Sequence, residues 1–142
     1  MPQQAAPMLP DHPWEALEIE VDRRGKWAIV SFREPDLRSH QVQDALRREL
    51  DILQERLTVD RVVLDFDRVE HISSAALGML LHFADELRQA RKAVIAACHL
   101  SDDLDRAFDL LNAERVMVLC DSRNEALRAE EPEPKRWWWP FG

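Results

Sequence analysis

The chain has 142 residues, of which 46% are hydrophobic and 32% are charged, and its formal net charge is −8. This composition is typical of one globular domain with tails, and the acidic balance argues against general binding to nucleic acid, because few basic groups remain to neutralise phosphates. No apolar run approaches the ~20 residues that a membrane span requires, so we predict no membrane-spanning segment.

The N-terminal third predicts a leader, a hairpin and a helix. Residues 1–15 are rich in proline, glutamine and small side chains and lack the features of a signal peptide, so we predict a disordered leader. Apolar and polar residues alternate over residues 18–21, and a second strand pattern over residues 26–32 follows a turn, which indicates a β-hairpin. A helix capped by Ser39 is then expected to run to about residue 57.

The central part of the chain predicts a buried strand followed by a long helix. Residues 61–66 indicate the strand, because apolar side chains follow one another there instead of alternating with polar ones. Leucines at helical spacing then predict a helix over residues 74–91, with Ser73 or Ser74 as its N-cap. The free N–H groups and the dipole of such a helix start favour an anion, so this position is suited to carry a phosphate.

The second half of the chain predicts two more strands, over residues 92–98 and 116–119, and helices that begin near Ser101 and Ser122. Strands that alternate with helices usually pair in parallel through crossover connections. We therefore predict an α/β fold over residues 16–128, in which a single small mixed sheet combines the N-terminal hairpin with mostly parallel strands. Helices are expected to pack against this sheet.

The two cysteines, Cys98 and Cys120, each lie in an apolar segment with the character of a strand. This placement indicates buried free thiols, and it fits the reducing conditions of the cytoplasm, where we expect the protein to be located.

The sequence offers little that would hold a metal or a cofactor or carry out catalysis. The five histidines are scattered without ligand spacing, and the three glycines cannot build a glycine-rich nucleotide loop, so we predict neither a metal site nor a cofactor. Asp65 and Asp67 are interpreted as residues that shape a loop, since no nucleophile with an activating base accompanies them. We accordingly predict that the protein is not an enzyme.

Residues 129–142 form a segment of different character. An acidic, proline-rich spacer leads to three tryptophans and a phenylalanine at Trp137, Trp138, Trp139 and Phe141. Exposed tryptophan is unfavourable, so we expect this tail to contact another surface. That surface is its own domain, another protein or a membrane, to which one anchor of this size would bind weakly.

A family resemblance rests on the central strand and the helix start. Residues 62–66 read Val-Val-Leu-Asp-Phe, and residues 72–78 read Ile-Ser-Ser-Ala-Ala-Leu-Gly. This pattern resembles the signature of STAS domains, the family of bacterial anti-sigma-factor antagonists, and the order of elements over residues 18–128 is also similar to that family. Two positions depart from the pattern, because Ser73 stands where Asp is common and Ala76 where Gly is common.

The resemblance implies an antagonist that acts by protein–protein binding. The unphosphorylated form binds an anti-sigma factor, often a serine kinase, and thereby frees a sigma factor; phosphorylation breaks the complex and a serine phosphatase restores it. The modified serine of the family aligns with Ser74, and the adjacent Ser73 is the second candidate. The alternative interpretation of both serines is that they only cap the helix.

The surface expected to contact the partner lies at the helix start and comprises Ser73, Ser74, Ala75, Ala76, Met79 and Phe83. Met79 and Phe83 are four residues apart and would form an apolar patch if exposed, whereas a wide buried face of the helix would absorb both. Two other functions stay open. One is a STAS-like subunit that docks on a transporter ATPase and regulates it without serine modification, and the other is a module that binds a small molecule or a lipid.

Overall fold

A computed structural model describes residues 19–129 as an alternation of strands and helices. The elements are β1 (Ile19–Arg24), β2 (Trp27–Phe32), β3 (Asp36–Leu37), α1 (His40–Arg56), β4 (Arg61–Asp65), β5 (His71–Ile72), α2 (Ser74–Arg91), β6 (Val94–Cys98), α3 (Asp102–Leu110), a 3-10 turn (Ala113–Arg115), β7 (Val118–Cys120) and α4 (Arg123–Leu127). The predicted leader over residues 1–15 and the predicted aromatic contacts of residues 137, 138, 139 and 141 lie outside the described residues.

Five of the strands form one sheet in the order β1-β2-β4-β6-β7. β1 pairs antiparallel with β2 through a turn at Gly25, whose φ of 59° is a conformation that glycine adopts at little cost. All other neighbours in this sheet are parallel. The predicted α/β fold with a mixed, mostly parallel sheet is thus confirmed.

Both faces of the sheet are covered by helices, which explains why apolar residues follow one another in the central strand β4. Val62 and Leu64 face the main core, which is shared with α1, α2 and α3, whereas Val63 faces a smaller cluster beneath α4. Cys98 and Cys120 lie in this smaller cluster as buried free thiols, as predicted.

Each of the four α-helices within residues 19–129 begins directly after a serine that caps it. The hydroxyl of each cap accepts a hydrogen bond from the backbone N–H three residues later, at 3.0 to 3.2 Å. The caps are Ser39, Ser73, Ser101 and Ser122. A serine whose hydroxyl accepts from the N–H three residues later therefore marks the start of each of these helices.

Two differences from the prediction have a clear physical reason. The two-residue strands β3 and β5 pair with each other in parallel, whereas the sequence indicated connections there, because two residues are too few to show a period. β7 begins at Val118 instead of residue 116, because the N–H groups of Val116 and Met117 still donate to the Ala113 carbonyl within the preceding turn. Among the described residues, no helix has the length and apolar character needed to cross a bilayer.

Candidate functional site

Of the two serines that were candidates for the N-cap of α2, Ser73 is the cap. Its Oγ accepts hydrogen bonds from the Ala76 backbone N–H at 3.0 Å and from the Gln43 side-chain amide at 2.9 Å. The Ser73 hydroxyl also donates to the Leu37 carbonyl at 3.5 Å. This half-buried hydroxyl is therefore fully engaged in holding the start of α2 against α1 and β3.

Ser74 is the first residue of α2 and is exposed. Within residues 19–129, no side-chain hydrogen bond involves its hydroxyl. The position belongs to the first turn of an 18-residue helix, where unpaired N–H groups and the positive end of the helix dipole favour an anion. The two adjacent serines therefore differ: the Ser73 hydroxyl is hydrogen-bonded to neighbouring groups, whereas the Ser74 hydroxyl is accessible.

The predicted contact surface needs correction at two positions. Ala75 is exposed and Met79 is half-buried against the main core, but Ala76 is 0% and Phe83 only 2% exposed. α2 packs on the sheet between α1 and α3, so its buried face is wide enough to include both residues. The prediction that Ala76 and Phe83 reach a partner is therefore wrong.

The segment that leads into α2 is anchored on two sides. The Pro35 carbonyl accepts from the N–H groups of Glu70 and His71, at 2.7 and 3.2 Å. On the other side, the Ser101 hydroxyl donates to the Glu70 carbonyl at 3.0 Å, and His71 Nδ1 lies 2.7 Å from Asp103 Oδ2. These contacts hold the segment before α2 in place, so the backbone that leads to Ser74 is anchored on both sides.

Exposed ion pairs surround this approach. The Arg38 guanidinium forms two hydrogen bonds of 2.8 Å with the Asp36 carboxylate, which lowers the pKa of Asp36 and raises that of Arg38. Hydrogen bonds from Arg106 and then from His71 lower the pKa of Asp103. Both carboxylates are therefore ionised at neutral pH, and the vicinity of the helix start carries charges of both signs.

A second polar cluster is centred on Asp65 at the end of β4, whose exposed fraction is only 3%. Its carboxylate accepts from the Asp67 N–H at 3.0 Å, from His99 Nδ1 at 2.8 Å, and from Arg123 Nε and Nη2 at 3.0 and 2.6 Å. Burial by itself would raise the pKa of Asp65, but the hydrogen bonds from His99, Arg123 and the Asp67 N–H outweigh it, so the pKa is lowered.

Sequence reasoning missed this cluster, although a signal was present. Asp65, His99 and Arg123 each lie at or just after the carboxyl end of a strand in the predicted parallel sheet. Parallel strands bring their carboxyl ends to one edge, so polar residues at these ends become neighbours.

The same cluster contains residue types that are found in metal sites and in catalytic sites. Ligand atoms of Asp65, Cys98 and His99 lie within 4.8 Å of one another, which sequence spacing did not predict. Burial, and then the nearby Asp65 charge, raises the pKa of Cys98 to about 12, so the thiol stays protonated at neutral pH and is a poor nucleophile. Cys98 and Asp65 also approach the same nitrogen of His99, Nδ1, so the ring cannot relay a proton between them.

A cleft of about 340 Å³ opens beside Asp65 at the carboxyl ends of β2 and β4. Its lining is mainly charged: Glu20, Ser31, Phe32, Arg33, Asp65, Asp67, Arg68, His99 and Arg123. Arg33 pairs with Glu20 at 2.7 Å and Arg123 with Asp65 at 2.6 Å, so much of this charge is balanced within the protein. The cleft is therefore interpreted as the solvent-exposed side of an ion-pair network that has a structural role.

Comparison with known proteins identifies the family and the fold of the chain. Residues 18–126 match the sequence model of the STAS domain. BtrV of Bordetella bronchiseptica, which is described as an anti-sigma factor antagonist, is 33% identical over 69 residues, or 49% of this chain. The match spans 59% of the length of BtrV, which is less than two thirds of that protein.

Solved structures with low sequence identity share the fold. An anti-sigma factor antagonist from Mycobacterium paratuberculosis has a TM-score of 0.68 at 16% identity, covering 80% of this chain and 92% of the other. The Bacillus cell fate determinant SpoIIAA in its phosphorylated form has a TM-score of 0.57 at 15% identity, covering 78% of this chain and 96% of the other. At these identities the likeness concerns the fold alone.

Proposed function

The chain belongs to the STAS domain family, and on this premise we propose that it is an anti-sigma-factor antagonist controlled by phosphorylation of Ser74. The unphosphorylated chain binds an anti-sigma factor that is also a serine kinase; modification of Ser74 breaks the complex and a serine phosphatase restores it. Both BtrV and the mycobacterial protein are described as anti-sigma factor antagonists, which supports the antagonist role. We place this activity in the cytoplasm.

The observation that carries the proposal is the difference between the two serines. A kinase must bring the γ-phosphate of ATP within bonding distance of a hydroxyl, so it needs an accessible one. Ser74 is exposed, whereas the Ser73 hydroxyl is half-buried and engaged by Gln43, Leu37 and the Ala76 N–H. This difference supports Ser74 over Ser73 as the modified residue.

The physical basis of the switch is local charge. Phosphorylation adds roughly −1.5 to −2 charges at neutral pH. The first turn of α2 tolerates them, because its free N–H groups and its dipole favour an anion. A partner surface that fits an uncharged helix start would instead meet an unpaired charge, which weakens the complex without any refolding of the antagonist.

Catalysis is not part of the proposal. The Asp65 carboxylate is committed to Arg123, His99 and the Asp67 N–H, and the neighbouring Cys98 thiol is buried with a raised pKa. Neither group is prepared to act as a base or a nucleophile. The proposed role is therefore regulatory and is carried out through binding.

The first experiment is intact-mass analysis with fragmentation of the protein isolated from its own cells, with and without stress. We expect one phosphate, located on Ser74 and changing with conditions. In a binding assay with the kinase responsible, Ser74→Ala should retain binding and escape phosphorylation, whereas Ser74→Glu should bind about tenfold or more weakly. Ala90→Glu, which adds the same charge at the exposed far end of α2, is the matched control and should bind normally.

Two results would count against the phosphorylation switch. One is a protein that is never modified but still holds its partner; the other is unaltered signalling with Ser74→Ala. Either would favour constitutive docking, as in a STAS-like subunit that regulates a transporter ATPase.

A further inference from the structure

The carboxyl end of β6 brings three side chains of different chemistry together. Cys98 is the last residue of this strand, and His99 follows it with a φ of 61°. Successive side chains of an extended strand point to opposite faces of a sheet, but in this left-handed conformation, which histidine adopts more readily than most residues, the His99 ring lies beside Cys98. His99 Nδ1 is 3.8 Å from the Cys98 sulfur and 2.8 Å from Asp65 Oδ1.

These distances are close to those between the ligands of one tetrahedral metal ion. Bonds of about 2.1 Å to nitrogen and oxygen and about 2.3 Å to sulfur place the nitrogen about 3.4 Å from the oxygen and about 3.6 Å from the sulfur. The observed separations of 2.8 and 3.8 Å differ from these values by about 0.6 Å at most. All three ligand atoms lie within 4.8 Å of one another, so modest rotations of the side chains would bring them to a common ion.

The surroundings of the cluster supply the other requirements of a metal site. Arg123 binds Asp65 through the other carboxylate oxygen, Oδ2, at 3.0 and 2.6 Å. It thereby holds the carboxylate in position and leaves Oδ1 directed at His99. The cleft of about 340 Å³, whose lining includes Asp65 and His99, gives an ion a path from solvent and leaves room for a water molecule as a fourth ligand.

We propose that Asp65 Oδ1, Cys98 Sγ and His99 Nδ1 bind one zinc ion, with water from the cleft as the fourth ligand. Thiolate, imidazole and carboxylate are the groups by which proteins bind Zn²⁺, whereas Mg²⁺ and Ca²⁺ prefer about six or more oxygen ligands. The proposal goes beyond the antagonist role and does not depend on it. Cys98 belongs to the cluster beneath α4, on the face of the sheet opposite the main core that contains α2.

Binding of the ion exchanges protons for metal without any redox step. The Cys98 thiol releases its proton to solvent and binds as the thiolate. His99 binds through the lone pair of Nδ1, and its remaining ring proton is on Nε2. The two negative charges of Asp65 and the thiolate balance the divalent ion, and the charge of the ion in turn stabilises the thiolate beside the carboxylate.

The test uses the purified full chain, freed of metal by a chelator, and Co²⁺ as a spectroscopic probe in place of Zn²⁺. A thiolate ligand gives Co²⁺ a charge-transfer absorption in the near ultraviolet, and tetrahedral coordination gives it intense visible bands. We expect one Co²⁺ per chain with both signals, and we expect Zn²⁺ to displace it. Zn²⁺ should also raise the Tm of the chain, because the three ligands are brought together only in the folded state.

The other cysteine offers a matched control. Cys120 is also a buried thiol and pairs with Cys98 on the neighbouring strand, but it lies outside the ligand cluster. Cys120→Ala should therefore keep the charge-transfer absorption, whereas Cys98→Ala should lose it and bind Zn²⁺ about a hundredfold more weakly. His99→Asn should weaken binding to a similar extent, and asparagine tolerates the positive φ of this position.

Three results would overturn the proposal: no saturable binding of Co²⁺ by wild type, a charge-transfer absorption that is lost in Cys120→Ala, or Zn²⁺ binding that survives both Cys98→Ala and His99→Asn. If Cys98→Ala fails to fold, wild type and Cys120→Ala still decide the matter. The chain has two cysteines, so the absorption in both of these proteins assigns the sulfur ligand to Cys98. A failed metal test leaves the phosphorylation of Ser74 and the binding of its kinase to be judged by their own experiments.

Discussion

Gln43 in α1 donates its side-chain amide to the hydroxyl of Ser73, thirty residues later in the chain, with 2.9 Å between Nε2 and Oγ. The same amide nitrogen lies 3.0 Å from the Arg38 carbonyl. This one side chain therefore joins the loop before α1 to the start of α2. The hydrogen bond from Gln43 engages the Ser73 hydroxyl, whereas the Ser74 hydroxyl has no such partner among the described residues.

The two serines should differ in their contribution to stability. Ser73→Ala removes the cap of α2 and its contacts to α1 and β3, and we expect it to lower the free energy of unfolding by about 1 to 2 kcal/mol. Ser74→Ala, the matched neighbour, should change it by less than about 0.5 kcal/mol because its hydroxyl is exposed. Urea denaturation measures both, and equal losses would contradict the assignment of Ser73 as the cap.

The hydrogen bond between Gln43 and Ser73 should be measurable as a coupling free energy between the two residues in unfolding experiments. Gln43→Met keeps the approximate length of the side chain but removes the donor, and we expect a loss of about 0.5 to 1.5 kcal/mol. In the Ser73→Ala background the same substitution should cost clearly less, because its acceptor is already absent. A double-mutant cycle from urea denaturation gives the coupling, and strictly additive losses would show that the contact contributes nothing.

Asp65 should be a major determinant of stability. Asp65→Asn deprives Arg123 and His99 of a buried carboxylate partner, and we expect a loss of about 2 to 3 kcal/mol. Asp36→Asn is the control: it also breaks a carboxylate–arginine pair, but that pair is exposed, so little change is expected. Equal effects of the two substitutions in urea denaturation would mean that the cluster around Asp65 does not stabilise the fold.

The contribution of Asp65 should depend on pH in a defined direction. Because its pKa in the folded state is below the ordinary value of 3.8, the ionised form is stabilised by folding. The contribution of Asp65 to the free energy of unfolding is therefore complete well above pH 3.8. It declines as the pH falls through 3.8 and is lost below the lowered pKa of the folded state. The difference in unfolding free energy between wild type and Asp65→Asn should therefore shrink from pH 7 to pH 3. A difference that stays constant would contradict the lowered pKa.

The two thiols should be unreactive in the folded protein. Burial raises the pKa of Cys120 and raises that of Cys98 to about 12, and the thiolate is the reactive form. We expect no rapid labelling by iodoacetamide at pH 8 in native buffer, and two labels per chain in denaturant. Mass spectrometry counts the labels, and rapid native labelling at Cys98 would show that its strand opens readily.

Much of the fold follows from short-range patterns. The apolar run that ends near Asp65 predicts a strand buried on both faces, and the helical spacing of leucines predicts α2 close to its observed bounds, Ser74–Arg91. Serine caps indicate the helix starts because the hydroxyl bonds a backbone N–H only three residues away. The two-residue strands β3 and β5 escape such reasoning, because only their mutual pairing makes them strands.

By itself, the sequence determined the α/β architecture and the place where a phosphorylatable serine could stand, because both depend on interactions between residues close together in the chain. Only the tertiary structure decided which serine is engaged, since that depends on Gln43 from another helix. It also decided that Phe83 is buried, because the width of the buried face of α2 is set by the helices on either side. The pairing of Asp65 with Arg123 likewise joins residues fifty-eight positions apart, which no local pattern specifies.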